Sequence, residues 1–307
     1  MLSRVETVPG WPVAFRGSRA VAAGLITRDR LRGPRFLRVL PDIYASVHDA
    51  PPDLLLRSLA AYRLVEGRGV ASGWSAALLL DADCAPHPVV SAEVTVPSGG
   101  QRSHPRLLVR RDRLAAGEIC RVGEFVDAPA PGTSDVLCTS PLRTAYDLGR
   151  RGDLVDRVVA VERLANRHRF APDLLLHFGV QHRGDRGSDV INETLALTSP
   201  YSGSPMETRL RLIIERGGLP RPAVQWPVQD PARRTAVWLD LAWPALMIGI
   251  EYEGEIHTSA EAVRSDTARF TRLVAAGWRL FRYTKDDIRH APERIVAELS
   301  HALDRVR

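Results

Sequence analysis

Residues 237–257 contain two short apolar runs that each carry acidic residues, and this stretch restricts the possible folds of the chain most strongly. Residues 236–242 and 246–252 are rich in Val, Ile, Leu, Trp and Tyr, which favour β-strands. The segment Trp243-Pro244-Ala245 between them is typical of a tight connection. The pattern therefore predicts a β-hairpin that carries Asp240 inside its first strand.

The second strand of this hairpin is predicted to have one acidic face and one apolar face. Because side chains alternate along a strand, Glu251 and Glu253 should point to one side and the intervening apolar residues to the other. Carboxylates in a hydrophobic strand are costly unless they are compensated, and a divalent cation compensates a cluster of three. Two hypotheses follow: a Mg²⁺ site that includes Asp240, or a solvated acidic face on which Asp240 pairs with an arginine.

These acids resemble the core of the PD-(D/E)XK, or restriction-endonuclease-like, nucleases: Glu207 on a preceding helix, Asp240, and Glu251 followed two residues later by a polar group. The likeness is closer to the very-short-patch-repair endonuclease-like branch, whose second strand reads I-E-x-D/E-G-x-x-H. Residues 250–257, IEYEGEIH, match that pattern. The similarity covers about the last third of the chain and continues through Arg264, Asp266, Arg269, Arg272, Gly277, Trp278 and residues 281–284.

The resemblance implies a role for each of these residues. It implies metal ligation by Asp240 and Glu251, with support from Glu207. A role near the scissile phosphate falls to Glu253 or His257. The implied cofactor is Mg²⁺ or Mn²⁺, and the implied activity is that of a metal-dependent endodeoxyribonuclease that hydrolyses phosphodiester bonds. The arginines of the following helix, which could clamp phosphate or face water, are Arg264, Arg269 and Arg272.

One departure from the nuclease pattern leaves a second function open. The general pattern has lysine at the position of Glu253, whereas the single lysine of this chain, Lys285, lies beyond the final predicted strand. His257 could supply the proton transfer instead. The alternative function is therefore a DNA-binding, antitoxin-like protein or transcriptional regulator whose nuclease fold is catalytically inactive.

Cap residues and apolar periodicity predict the elements around the hairpin. A helix should start at Ser204-Pro205 and end before Gly217, with Glu207 in its first turn. The other predicted elements are strands 224–228 and 280–283 and helices 260–276 and 292–306. The order αβββαβα is expected of a nuclease-like domain with a mixed central sheet flanked by helices.

Residues 1–50 are predicted to form a small, degenerate winged-helix-like domain. The predicted elements are helices at 18–23, 28–31 and 36–39, followed by a β segment at 43–45. The run 24–45 is similar to the N-terminal domain of AbiEi-type antitoxins, in which a recognition helix enters the DNA major groove and arginines contact phosphate. Arg35 and Arg38, on the third helix, are the predicted DNA contacts. A helical cap with solvated arginines is the other hypothesis.

The rest of the chain is divided into an α/β middle module at 51–185, a linker at 186–203 and the nuclease-like domain at 204–307. Within the middle module, Thr139-Ser140-Pro141 with Arg143 and Asp147 resembles a segment shared by the antitoxin-like proteins. Ser140 and Pro141 also predict a helix start there. Asp147 and Glu162 are acids on predicted helices and are expected at the surface.

Composition narrows the class of protein. With 307 residues, of which 45% are hydrophobic, the chain should form two or three domains of an α/β (α+β) fold. The net charge of +6 permits a nucleic-acid partner. Neither an apolar run of about 18 residues nor an apolar signal segment is recognised, so no membrane partner is expected.

The cysteines and the resemblances predict the cellular setting. Cys84, Cys120 and Cys138 lack C-x-x-C spacing and are expected as small core residues in a reducing, cytoplasmic compartment. The expected partner is DNA. The antitoxin-like half adds a cognate toxin or another protein as a further expected partner.

Overall fold

The computed structural model describes residues 13–46, 53–86, 91–230, 235–254 and 260–305. Mixed sheets flanked by helices occupy these ranges, so the predicted α+β fold class is confirmed. Within the same ranges no helix combines the length and the apolar character that crossing a membrane requires.

A three-stranded sheet with two short helices opens the described chain. Its elements are β1 (Phe15–Arg16), α1 (Gly17–Ala22), α2 (Arg28–Leu31), β2 (Phe36–Leu40) and β3 (Ile43–Ser46). The strand order is β1-β3-β2, and both strand pairs are antiparallel. The predicted start of α2 is confirmed, because the Thr27 side chain accepts a hydrogen bond from the backbone N–H of Arg30.

The predicted helix at residues 36–39 is wrong, because these residues belong to β2. They pair with β3 across a tight turn in which Asp42 adopts a φ of +61°. The pairing partner lies beyond the turn, so helix propensity over four residues could not reveal it. Arg38 therefore lies exposed on a strand and Arg35 lies exposed just before it, and neither belongs to a recognition helix.

A five-stranded mixed sheet forms the middle of the molecule. Its strands are β4 (Val70–Ala71), β5 (Ala92–Val96), β6 (Leu107–Arg111), β7 (Ile119–Arg121) and β8 (Leu137–Thr139), in the order β6-β5-β4-β8-β7. The helices of this part are α3 (Leu54–Val65), α4 (Gly73–Leu79), α5 (Pro141–Gly149), α6 (Leu154–His168), α7 (Leu174–Gln181) and α8 (Ile191–Leu197). The predicted start of α5 is confirmed, since the Ser140 side chain accepts a hydrogen bond from Arg143 N–H.

The N-terminal sheet and the middle sheet share one apolar core. Ile43 of β3 and Leu59 of α3 lie in the same cluster of buried side chains. A polar contact adds to this junction, because Arg16 of β1 donates a hydrogen bond to the carbonyl oxygen of Leu64 at 2.9 Å. The two parts are therefore packed against each other as one body.

Asp147 is buried, with 2% of its surface exposed, so the expectation that it lies at the surface is wrong. Arg143, one turn earlier on α5, donates a hydrogen bond to Asp147 at 2.9 Å. The fully buried Arg143 guanidinium also pairs with Glu118 at 3.1 Å and with Asp112. Burial alone would raise the pKa of Asp147, but the surrounding arginines outweigh it and hold the pKa below its ordinary value.

A four-stranded sheet carries the C-terminal part. Its strands are β9 (Ala223–Asp230), β10 (Thr235–Trp243), β11 (Ile248–Glu253) and β12 (Arg279–Thr284), in the order β12-β11-β10-β9. The helices are α9 (Pro205–Arg216), α10 (Ala260–Ala275), α11 (Lys285–His290) and α12 (Pro292–Asp304). The predicted hairpin is confirmed as β10 and β11, and β12 adds parallel to β11. Helix α11 was not predicted.

Both faces of this sheet are covered by helices. On one face, Leu210 of α9 and Leu299 of α12 are buried in a cluster with Ile250 of β11. On the other face, Leu239 of β10 packs in a cluster with Leu273 of α10. The strands are thus fixed from two sides, which gives the acidic residues of β10 and β11 a rigid support.

Helices α6 and α9 join the middle and C-terminal parts through a buried acid. Glu162 of α6 is 2% exposed, so its predicted surface position is also wrong. Its carboxylate accepts hydrogen bonds, each at 2.6 Å, from Arg211, from the Thr208 hydroxyl and from the Ser199 backbone N–H. These partners offset part of the cost of removing the Glu162 charge from water, but burial still raises the pKa of this acid above its ordinary value.

The segment predicted as a linker, 186–203, contains helix α8. Its residues Ile191 and Thr194 are buried, and the Thr194 hydroxyl donates a hydrogen bond to the Gly149 carbonyl oxygen at 2.9 Å. This part of the segment packs on α5 and α6 and therefore belongs to the middle module.

Candidate functional site

Asp240 lies in the middle strand pair of the C-terminal sheet and ties β10 to β11. The ladder between these strands runs from Trp243 and Ile248 to Leu241 and Ile250. Asp240 is the next residue on β10, and its Oδ2 accepts a hydrogen bond from the backbone N–H of Tyr252 at 2.8 Å. The carboxylate is therefore held at a fixed height along the hairpin.

Glu207 reaches this region from the first turn of α9. The helix is capped by Ser204, whose hydroxyl accepts a hydrogen bond from Glu207 N–H at 3.2 Å. The side chain turns back, and its Oε2 accepts a hydrogen bond from Gly203 N–H at 2.9 Å. A Cβ on Gly203 would lie only 2.9 Å from that same oxygen, so glycine leaves the space that the carboxylate occupies. A carboxylate at a helix N-terminus is also favoured by the helix dipole.

Gln225 of β9 connects the two acids and was missed by the sequence analysis. Its side-chain Nε2 donates hydrogen bonds to Glu207 Oε2 at 2.9 Å and to Asp240 Oδ1 at 3.5 Å. Its backbone has a φ of +50°, which residues other than glycine rarely adopt. The signal in the sequence was a glutamine between Val224 and Trp226 of an apolar strand, but its partner on the neighbouring strand could not be read from the sequence.

The site around Asp240 is electrostatically unfavourable for an additional negative charge. The pKa of Asp240 is raised to about 6, first by burial and then by the nearby carboxylates of Glu207 and Glu251. The Tyr252 N–H opposes this shift. A positive ion beside Asp240 would relieve the repulsion between these acids.

Glu251 is buried and is neutralised by arginines. Only 5% of its surface is exposed. Its Oε1 accepts a hydrogen bond from Arg269 Nη2 of α10 at 2.6 Å, and its Oε2 lies 3.4 Å from Arg282 Nε of β12. Arg269 also donates to the carbonyl oxygen of Trp238 at 2.7 Å. The arginine thus bridges α10 to both strands of the hairpin.

The remaining predicted site residues have different positions. Glu253 is half-buried at the end of β11, and Arg272 is half-buried in the last turn of α10. Arg264 belongs to α10, but its side chain lies outside the described part of the chain, and His257 lies outside the described residues altogether. Arg38 on β2 and Arg35 just before that strand belong to the N-terminal part of the chain rather than to this site.

The oxygen donors around Asp240 fit a hard divalent cation, with the Glu207 carboxylate beside them to orient bound waters. Mg²⁺ takes carboxylate oxygens and keeps several waters, so a site with few protein ligands suits it. In the described ranges no group of three or more His, Cys, Asp or Glu side chains converges to hold a metal. Glu251, turned to Arg269, would become a ligand only by exchanging that ion pair for the cation.

No known protein-family model matches this chain. It is similar to two proteins of Mycobacterium tuberculosis, "Uncharacterized protein MT2308" of strain CDC 1551 / Oshkosh and "Uncharacterized protein Rv2248" of strain ATCC 25618 / H37Rv. Each is 28% identical over 273 residues, which is 88% of this chain and 93% of the relative. The likeness therefore extends well beyond the C-terminal part.

Proposed function

We propose that this protein is a metal-dependent endonuclease that hydrolyses phosphodiester bonds in DNA. The observation that carries the proposal is the meeting of Glu207 and Asp240 at the Gln225 amide, next to Glu251 on the neighbouring strand. The acids come from one helix and two strands, which is the arrangement that the resemblance to the PD-(D/E)XK nucleases implies.

In this proposal the residues divide the work of phosphodiester hydrolysis. Asp240 would hold the cation, with Glu207 orienting the waters around it and Glu251 as the second ligand. When bound, Mg²⁺ or Mn²⁺ would lower the pKa of the attacking water and neutralise charge on a phosphate oxygen. Glu253 or His257 would take up the proton from that water.

Arginines and exposed aromatic residues near the site support a nucleic-acid substrate. Arg269 lies beside Glu251 and can bind a phosphate oxygen, which offsets the absence of lysine at the position of Glu253. Trp226 of β9 and Trp238 of β10 are 38% and 53% exposed, although large apolar side chains are usually buried. Exposed aromatic rings can stack on bases.

The second candidate is a DNA-binding regulator with an inactive nuclease fold. The observation that favours it is the pairing of both Glu251 oxygens with Arg269 and Arg282. An acid so neutralised can be purely structural. In that case the exposed Arg35 and Arg38 of the N-terminal sheet would carry DNA binding, and a cognate toxin would be the expected protein partner.

The test compares wild-type protein with Asp240→Asn on supercoiled and linear DNA, with Mg²⁺ or Mn²⁺ and with EDTA. Asp286→Asn, an exposed acid of the same module, is the matched control. Cleavage that needs the metal, survives in the control and is lost in Asp240→Asn supports the nuclease. Salt-dependent DNA binding without EDTA-sensitive cleavage supports the regulator instead.

A further inference from the structure

Gln225 is the residue through which the two acids of the site touch the same group. Its amide nitrogen lies 2.9 Å from Glu207 Oε2 and 3.5 Å from Asp240 Oδ1. Glu207 comes from a helix of one layer and Asp240 from a strand of another, so packing alone does not fix the distance between their carboxylates. The glutamine amide is the hydrogen-bond donor that they share.

The backbone of Gln225 is shaped for this contact. In the antiparallel ladder of β9 and β10, Val224 pairs with Leu241 and Trp226 pairs with Leu239, so Gln225 lies opposite Asp240. Its left-handed φ of +50° is an exception within a strand and is a strained conformation for a residue other than glycine. Such strain persists where the surrounding structure imposes it, and it occurs most often at functional sites.

The chemistry of the amide suits a site that must also accept a cation. An arginine at this position would neutralise the acids, as Arg269 neutralises Glu251, and would compete with a metal. A neutral amide donates hydrogen bonds to both carboxylates while leaving their negative charge in place. Gly203 completes the arrangement, because a Cβ there would lie 3.3 Å from the Gln225 amide nitrogen as well as against Glu207.

We propose that Gln225 is a positioning residue, which holds the Glu207 and Asp240 carboxylates at the spacing required for a divalent cation. This inference rests on the proposed metal-dependent function and deepens it. It predicts that the amide affects metal affinity even though it is not itself a metal ligand, as groups that orient ligands do in other metal sites.

The experiment measures Mg²⁺ and Mn²⁺ binding to the purified full-length protein by calorimetry, together with its thermal midpoint. Gln225→Gly removes the amide and also relieves the positive φ, so the fold should keep its thermal midpoint or gain slightly. Metal affinity should fall by about tenfold. Gln225→Asn keeps an amide and tolerates the left-handed backbone, so its affinity should lie between those of Gln225→Gly and wild type.

Gln229→Gly is the matched control, because Gln229 is an exposed glutamine on the same strand. It should lower the thermal midpoint and leave metal affinity unchanged. The inference is overturned if Gln225→Gly binds the metal as tightly as wild type does. It is also overturned if Gln225→Asn binds the metal no more tightly than Gln225→Gly. If Asp240→Asn loses metal binding in either of those cases, the proposed nuclease survives. Absence of metal binding in the wild type overturns both proposals.

Discussion

Glu162 of α6 and Arg211 of α9 form an ion pair of 2.6 Å in which each side chain is only 1% exposed. The pair lies where the middle module meets the C-terminal module. Arg211 also donates to Glu215 at 2.7 Å, so the guanidinium links the junction to the next turn of its own helix.

Arg211→Met should destabilise the protein strongly, because it leaves the Glu162 carboxylate buried without its cation. The expected loss is about 3–5 kcal/mol in the free energy of unfolding. Arg216→Met, an exposed change on the same helix, should stay within about 0.5 kcal/mol. Urea denaturation measures both. Similar losses for the two variants would contradict a role for the buried pair.

Arg269→Gln should increase the affinity for Mg²⁺ several-fold, because it removes a positive charge in contact with Glu251. DNA binding should weaken. The logarithm of the DNA association constant falls with the logarithm of the salt concentration, and the magnitude of this slope should decrease by about one. Calorimetry and binding titrations at several salt concentrations check these effects. Arg279→Gln, at an exposed position on β12, is the control. Unchanged or weaker metal binding would show that Glu251 does not take part in the metal site.

Stability should rise with pH in part because of His168. Burial lowers the pKa of this imidazole, and its Nε2 lies 3.0 Å from the Leu80 carbonyl oxygen. His168 therefore binds a proton more readily in the unfolded chain than in the folded one. The free energy of unfolding should rise with pH between the lowered pKa of the folded state and the unfolded value of about 6.5, and this contribution is lost as the pH falls through the lowered pKa. His168→Gln should reduce this rise in the free energy of unfolding, whereas His301→Gln, at an exposed site, should not. The same pH dependence of the free energy of unfolding in both variants would argue against a contribution from His168.

Cys120 and Cys138 should form a disulfide when the protein is treated with diamide. They are paired residues of β7 and β8, and their sulfur atoms lie 3.6 Å apart. Diamide takes up the two thiol hydrogens and is reduced to the hydrazine. Mass spectrometry should show the loss of two hydrogen atoms in wild type and in Cys84→Ser. Cys120→Ser should show no such loss. The reaction should be slow, because both thiols are buried.

The parts of the fold that local chemistry determines were predictable. Ser204 and Pro205 mark the start of α9, and the alternation around Asp240 marks the hairpin, because caps and strand patterns need only neighbouring residues. Residues 36–39 were misassigned because their strand partner lies beyond a turn.

The same distinction applies to the site and to the buried acids. Glu207 and Asp240 were both predicted as site residues, but their connection through Gln225 depends on a backbone angle and on a neighbouring strand. Glu162 was placed at the surface because its partner, Arg211, is 49 residues away. The Arg143 and Asp147 pair is one helical turn apart, and its spacing could have indicated an ion pair.

The shared core around Ile43 and Leu59 determines how the N-terminal sheet can move. A domain joined only by a flexible linker would move independently of the remaining chain. This sheet shares its core with the middle module and should move together with it. Because α6 and α9 extend the packed connection to the C-terminal sheet, the distance between Arg38 and Asp240 is constrained. A ligand that contacts both Arg38 and Asp240 must therefore match the separation that the packed modules impose.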